Sequence, residues 1–323
     1  MPESGQEEYP AWLRRAIRDP GTRCVVNVHG CAVAYRIWDG GGSSGIIMVH
    51  GGGASSLWWA PSAHILADAG YRVAALDLSG HGDSGWRAHY SARTWASEVI
   101  AVAREADTTS IVVGHSMGGF VAATAAATDS LFSGLILVDS AILPPACERP
   151  AELQPHAMRG PKLYVTPEDA VAHFRVLPSQ PQPHSHMTSW IAENSIRPIV
   201  QWDEPTRWTW KFDPAVFQTD HSREAHAYLS RIHMPVVLIR GERSRVMTAE
   251  RAKSLDAELS VDLYEIVVAR RHHHLILEDP TSFSAAVVSA LAVCRDAGSK
   301  DAGSKTVPAS GMPCDEHPDQ RLK

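Results

Sequence analysis

Gly114-His115-Ser116-Met117-Gly118 sets a serine between two glycines, each one residue removed. The β-branched run Ile111-Val112-Val113 leads into it, and an Ala-rich stretch from Phe120 to Ala127 leads out. That order predicts strand, sharp turn, helix. Such a turn lifts the serine hydroxyl clear of the strand end, and its glycines spare the neighbouring strand and helix a collision. Ser116 is then a candidate nucleophile. The Met117 N–H, at the helix start, is a candidate donor to negative charge developing on a substrate oxygen. A plain small-residue turn has the same five residues, but the strand before and the helix after argue against it. A second donor has to be a backbone N–H that comes close to the same oxygen, which glycine permits. The short apolar run Gly45-Ile46-Ile47-Met48-Val49 ends in His50-Gly51-Gly52-Gly53, where Gly52 is the first choice and Gly53 the next. A serine nucleophile also needs a base. The run His272-His273-His274 offers three imidazoles, of which at most one can reach Ser116, because adjacent side chains point in different directions.

Four segments together resemble the α/β-hydrolase superfamily. They are His50-Gly51-Gly52-Gly53, Asp77-Leu78-Ser79-Gly80-His81-Gly82-Asp83-Ser84-Gly85, Gly114 to Gly119, and His273-His274-Leu275-Ile276-Leu277-Glu278-Asp279-Pro280. The resemblance spans residues 22–296. It implies an α/β fold, a mostly parallel eight-stranded sheet with helices on both faces and an inserted, largely helical cap. It also implies serine-dependent chemistry, with the substrate left open because the fold carries many activities. Counting back from Leu277-Glu278-Asp279-Pro280 picks His273 as the base. The acid departs from the pattern: many relatives place an Asp where this chain has Arg245, and an arginine cannot accept the His N–H. Asp139, ending the strand Leu135 to Val138, is preferred, and Glu242 is the alternative. Both keep the chain order Ser, acid, His. A weakened or repurposed triad is the third reading.

The elements that must position these residues alternate. Strands are expected at Cys24–Val28, Ala32–Trp38, Ile46–Val49, Tyr71–Leu78, before Ser116, Leu135–Val138, Val236–Ile239 and Tyr264–Val268. Helices are expected at Ala60–Ala69, Arg93–Ala106, Phe120–Ala127, Thr248–Leu255 and Pro280–Val293. Such alternation implies a parallel sheet covered on both faces, with its site at the carboxyl ends of the strands. Residues 1–21 read as an N-terminal extension, and 22–142 with 231–296 as the core. Between them 143–230 is rich in Pro, His and Trp and reads as the cap, with helices at Pro167–Val176 and Met187–Asn194. Residues 297–323, where Asp-Ala-Gly-Ser-Lys repeats, read as a disordered tail. A cap excludes water and shapes a pocket. Pocket candidates are Gly53, Trp58, His115, Trp190 and Trp208, while His50 and His81 read as structural.

Composition sets limits. The chain of 323 residues is 44% hydrophobic and 20% charged, with a formal charge of −6, which gives no reason to expect nucleic acid or an anionic membrane as partner. Five cysteines with no C-x-x-C spacing suit a reducing compartment. The acidic N-terminus lacks an apolar signal core, and no apolar run approaches the ~18 residues of a membrane span, so a cytoplasmic location is expected. No metal is expected, because His184-Ser185-His186 and the three-His run lack a set of four ligands at zinc spacing. No cofactor is expected either, since the Gly51–Gly53 run is not a dinucleotide fingerprint. The expected activity is cleavage of a small carboxylic ester, lactone or thioester, with the oligomeric state open. The alternatives are C–C bond hydrolysis, acyl transfer or cyclisation at the same site, or a non-catalytic ligand-binding protein on the same scaffold.

Overall fold

Strand and helix alternate along the chain as the apolar runs predict, in a computed structural model that describes residues 9–108, 111–142, 144, 162–181, 184–200 and 202–298. Strands β1 (Thr22–Val28), β2 (Cys31–Asp39), β3 (Gly45–Val49), β4 (Arg72–Leu76), β5 (Ile111–His115) and β6 (Gly134–Val138) precede an insertion. Within it lie β7 (Ile196–Ile199) and β8 (Arg207–Trp210), and after it come β9 (Val236–Gly241), the helix α8 (Ala249–Glu258) and β10 (Leu263–Val268). Eight of the strands form one sheet in the order β1-β2-β4-β3-β5-β6-β9-β10. β2 runs antiparallel to both its neighbours, and the strands from β4 to β10 in that order are parallel.

The central strands β3, β5 and β6 are buried at every position, so both faces of the sheet need apolar side chains. Alternation divides those side chains between two cores. Ile47 and Val49 of β3 and Leu135 and Leu137 of β6 join the core under α3 (Ala92–Glu105) and α4 (Met117–Thr128). Ile46, Met48, Ile136 and Val138 join the opposite core, under α1 (Ala11–Arg18), α2 (Ala60–Asp68) and α10 (Pro280–Gly298). Helix α3 begins where Ser91 accepts the Thr94 N–H at 3.0 Å, satisfying one otherwise unpaired donor of its first turn.

Three features differ from the expectations. Residues 11–18, read as part of an extension, are the helix α1, whose Leu13 and Ala16 are fully buried against α2. Its eight residues give too few turns for periodicity to stand out. The insertion contains helices α5 (Pro167–Ala172), α6 (Ser185–Asn194) and α7 (His221–His226), and also the antiparallel ribbon β7–β8, which was not expected. Pro198 within Ile196–Ile199 argues against a strand on sequence grounds, but on an isolated two-stranded ribbon the missing donor is tolerated. Finally, α10 reaches Gly298, two residues into the expected tail, the rest of which lies outside the described residues. No helix among the described residues is long and apolar enough to cross a membrane.

Candidate active site

Ser116 sits at φ 53° and ψ −119°, a backbone conformation that L-residues avoid, between the end of β5 and the start of α4. Its N–H donates to Val138 O at 2.9 Å, which fixes the turn against the end of β6. The flanking glycines are there for close approach. A Cβ on Gly114 would lie 2.3 Å from Gly118 O, and one on Gly118 would lie 2.3 Å from Val49 O and 2.4 Å from His50 O. The turn therefore packs directly on the backbone that leads into His50-Gly51-Gly52-Gly53. That loop is held by His50. Its Nε2 accepts the Leu78 N–H at 3.1 Å, so its Nδ1 carries the proton and donates to Gly51 O at 2.7 Å. A Cβ on Gly51 would stand 3.3 Å from Ser116 Cβ, which puts the glycine loop beside the serine.

Ser116, His273 and Asp139 form one hydrogen-bonded chain. His273 Nε2 lies 3.0 Å from Ser116 Oγ, and His273 Nδ1 lies 2.8 Å from Asp139 Oδ1. Asp139 is fully buried, His273 is 3% exposed and Ser116 is partly open to solvent. Asp139 follows β6 at φ 48°, and its N–H donates to Ile239 O at 2.8 Å. Its carboxylate also accepts the Ser244 hydroxyl at 2.5 Å on Oδ1 and the Gly241 N–H at 3.0 Å on Oδ2. Ser244 in turn accepts the Val246 and Met247 N–H groups at 3.1 Å each. The loop after β9, which carries Arg245 where a carboxylate was looked for, thus supplies donors to a carboxylate on the neighbouring strand. Arg245 itself is exposed. Glu242 is exposed too and accepts the Arg270 N–H at 2.6 Å, so it stands apart from the chain. Sequence reading passed over Ser244, whose only signal was its place beside the irregular position 245.

The other candidates divide. Met117 is the first residue of α4, so its N–H has no carbonyl one turn earlier in the helix to bond. A Cβ on Gly52 would lie 3.5 Å from Met117 Sδ and 2.7 Å from the Phe217 ring, while one on Gly53 would be 3.8 Å from Phe217 and 3.9 Å from Phe212. Phe212 and Phe217, brought down by the insertion, are therefore the aromatic rings beside the glycine loop. Phe217 was missed, although Asp213-Pro214 is a helix-start signal: Asp213 accepts the Ala215 N–H at 2.9 Å and begins the short turn that presents Phe217. Four expected pocket residues pack elsewhere. His115 is 1% exposed and its Nε2 donates to His273 O at 3.0 Å, behind the imidazole. Trp58 is buried with its ring 5.6 Å from that of His274. Trp190 packs on the α1–α2 side core, and Trp208 on the insertion's own small core with Tyr164. Tryptophan supplies apolar area wherever a core needs it, so its presence in the insertion did not single out the pocket.

Burial pushes His115 and His274 well below the ordinary imidazole range, and the neighbouring His273 adds to both shifts. Both rings donate Nε2–H to backbone carbonyls, His115 to His273 O and His274 to Leu177 O at 3.0 Å, so each Nδ1 is a bare lone pair. One ring nitrogen each from His115, His273 and His274 lie within 4.8 Å of one another, the group among the described residues that could hold a metal ion. No metal was expected from the sequence, because the three-His run lacks a set of four ligands at zinc spacing; His115 joins two of its members only in the fold.

Known proteins resemble this one in sequence and shape. A model of the alpha/beta hydrolase family matches residues 46–286. Esterase Rv0045c of Mycobacterium tuberculosis is 29% identical over 241 residues, 72% of this chain and 76% of that protein. Lipase LipV of the same organism is 35% identical over 103 residues, 31% of this chain and 39% of its own length. The thioesterase domain from the curacin biosynthetic pathway superposes with a TM-score of 0.66 at 21% identity, over 83% of this chain and 99% of its own, a likeness of fold.

Proposed function

Because the chain belongs to the alpha/beta hydrolase family and is a hydrolase by that membership, we propose that it cleaves a small carboxylic ester, lactone or thioester through an acyl-enzyme on Ser116. The unbroken relay from Ser116 Oγ through His273 to Asp139, at 3.0 and 2.8 Å, carries this reading. Ser116 Oγ attacks the carbonyl carbon while His273 Nε2 takes its proton. Asp139, held by Ser244 and Gly241, keeps Nδ1 protonated and offsets the imidazolium charge. The Gly52 and Met117 N–H groups receive the oxyanion, each worth roughly 3 kcal/mol by comparison with similar donors. The intermediate collapses, His273 returns the proton to the leaving alcohol or thiol, and a water molecule repeats the sequence on the acyl group. The inserted segment, residues 143–230, serves as the cap, with Phe212 and Phe217 bordering the acyl site. An esterase and a thioesterase domain among the similar proteins favour oxygen and sulfur esters as the substrate class. The receptor alternative relied on the missing carboxylate at position 245, and a carboxylate at hydrogen-bond distance from His273 weakens that support.

Ser116→Ala tests the reading. It is expected to abolish hydrolysis of p-nitrophenyl acetate and labelling by a fluorophosphonate while leaving the melting temperature near that of the native chain, since no other group supplies the attacking oxygen. Retained turnover would end the serine-hydrolase reading.

A further inference from the structure

His273 is the middle of three consecutive histidines, and the backbone on each side of it is tethered. The His272 N–H donates to the Glu278 carboxylate at 3.3 Å to Oε1 and 3.2 Å to Oε2, and His272 Nδ1 lies 3.2 Å from Oε1. The His274 N–H donates to Gln180 Oε1 at 2.9 Å. Gln180 Nε2 donates to Glu278 Oε1. A single amide thus uses its acceptor on one neighbour of His273 and its donor on the carboxylate that holds the other. Its orientation follows from those partners, because a flipped amide would set donor against donor and acceptor against acceptor. Gln180 belongs to the inserted segment, between α5 and α6, whereas Glu278 lies on α9 (Leu275–Glu278) in the core. Leu177, three residues before Gln180, adds its carbonyl to the His274 ring. Glu278 is 4% exposed, and Gln180 is half-buried.

We propose that Gln180 is a positioning residue for the general base: it holds the His273 loop in register with Ser116, so that docking of the inserted segment and assembly of the relay are one event. The inference rests on the serine-hydrolase reading of Ser116 and His273. A base must stand within hydrogen-bond reach of the proton it takes, and a displacement of about 1 Å costs on the order of 100-fold in rate. The loop has other ties, all from the core: His273 O accepts the His115 Nε2–H at 3.0 Å, His274 O accepts the Leu277 and Glu278 N–H groups at 2.9 and 3.1 Å, and Arg271 O accepts the Arg243 N–H at 2.8 Å, whereas Gln180 reaches it from the inserted segment. The loop's preceding residues Ala269 and Arg270 are exposed, and Arg271 is engaged with Asp279 at 2.7 Å. Without Gln180, Glu278 keeps His272 through its carboxylate and His274 O through its N–H at 3.1 Å, but the His274 N–H loses its acceptor and the carboxylate loses the amide donor.

Two variants test the proposal. Q180A is expected to lower kcat for p-nitrophenyl acetate about ten- to hundredfold, with KM for this small ester changed less than about threefold. Q180E keeps the acceptor for the His274 N–H but replaces the donor with a second carboxylate facing Glu278. The other titratable groups around it are His272, His274 and the Arg271–Asp279 pair. As pH falls, the two carboxylates share a proton and the missing donor returns. The ratio of Q180E to Q180A in kcat, each variant normalised to the limb of its own pH–rate profile that reports the base, is therefore expected to rise from about pH 8 to about pH 5.5. A residue that only packs would leave that ratio flat. If Q180A loses its cooperative melting transition, the ratio is taken against the native chain. Native kcat in Q180A, or a flat ratio, overturns the proposal while Ser116→Ala remains inactive. Activity in Ser116→Ala overturns instead the reading on which the proposal rests.

Discussion

At the scale of single residues, Asp139 is the best-provided carboxylate of the site: an imidazole, a hydroxyl and a backbone N–H donate to it at full burial. Three donors compensate the carboxylate's loss of water. With both carboxylate oxygens so engaged, an amide at position 139 would have to present an N–H to one of those donors. Asp139→Asn is therefore expected to lower kcat by about three to four orders of magnitude, the loss seen when a triad histidine is left in the wrong tautomer. Glu242→Gln, on an exposed side chain that holds only the Arg270 N–H, is expected to change kcat less than about threefold. Steady-state kinetics on one activated ester compares the two, and the reverse ranking would move the acid to Glu242. The preference for Asp139 could be read from its place at a strand end. Its support could not, because Ser244 and Gly241 lie about a hundred residues further on and reach it only once β9 has paired with β6.

At the scale of elements, the turn at Ser116 and the glycine loop form one unit, since α4 starts against the backbone that ends β3. A methyl group on Gly118 would fall within 2.4 Å of two carbonyl oxygens of that backbone, neither of which can swing away as a side chain can. Gly118→Ala is expected to destabilise the protein by roughly 3 kcal/mol or more. In a chain of this size that is a fall of roughly 5–10 °C in melting temperature by calorimetry. Activity should fall further than stability alone accounts for, because relief of the clash displaces Gly52. A native melting temperature in this variant would show that the two backbones are not in contact. Strands such as Ile46–Val49 and Leu135–Val138 were readable because burial on both faces leaves continuous apolar runs. The insertion was less so. Its β7–β8 ribbon contains a proline, its short α7 carries one charged or polar residue after another, and the rings of Phe212 and Phe217 owe their place to contacts with the core loops. Asp213 shows the dependence: its N–H bonds Gly80 O at 2.8 Å and its carboxylate takes the Tyr90 hydroxyl at 2.8 Å, each more than a hundred residues away in sequence.

At the scale of the whole molecule, the site edge is lined with imidazoles that the fold keeps uncharged. Burial is the leading cause of a lowered pKa in His50, His81, His115 and His274, each from an ordinary value of 6.5. In the folded state these rings resist a proton that the unfolded chain accepts. The unfolded state therefore binds more protons once the pH drops below about 6.5, and stability rises with pH through that window. The contribution is present in full above about 6.5 and is lost as the pH falls from there through the folded values. Each such group contributes roughly 1.4 kcal/mol per pH unit where its uptake is complete. Glu98 works in the opposite sense. Burial raises it from 4.5, so its carboxyl form is favoured by folding and its contribution is lost as the pH rises through its folded value. Four histidines outnumber that one carboxyl between pH 7 and pH 5. The melting temperature is accordingly expected to fall as the pH drops below about 6.5 toward 5, with little change between pH 7 and pH 8. Calorimetry in half-unit steps measures it. A flat curve down to pH 5 would mean that these rings gain a proton in the folded state as readily as in the unfolded chain, and that the packing of His50 on His81 and of His115 on His273 and His274 tolerates charge.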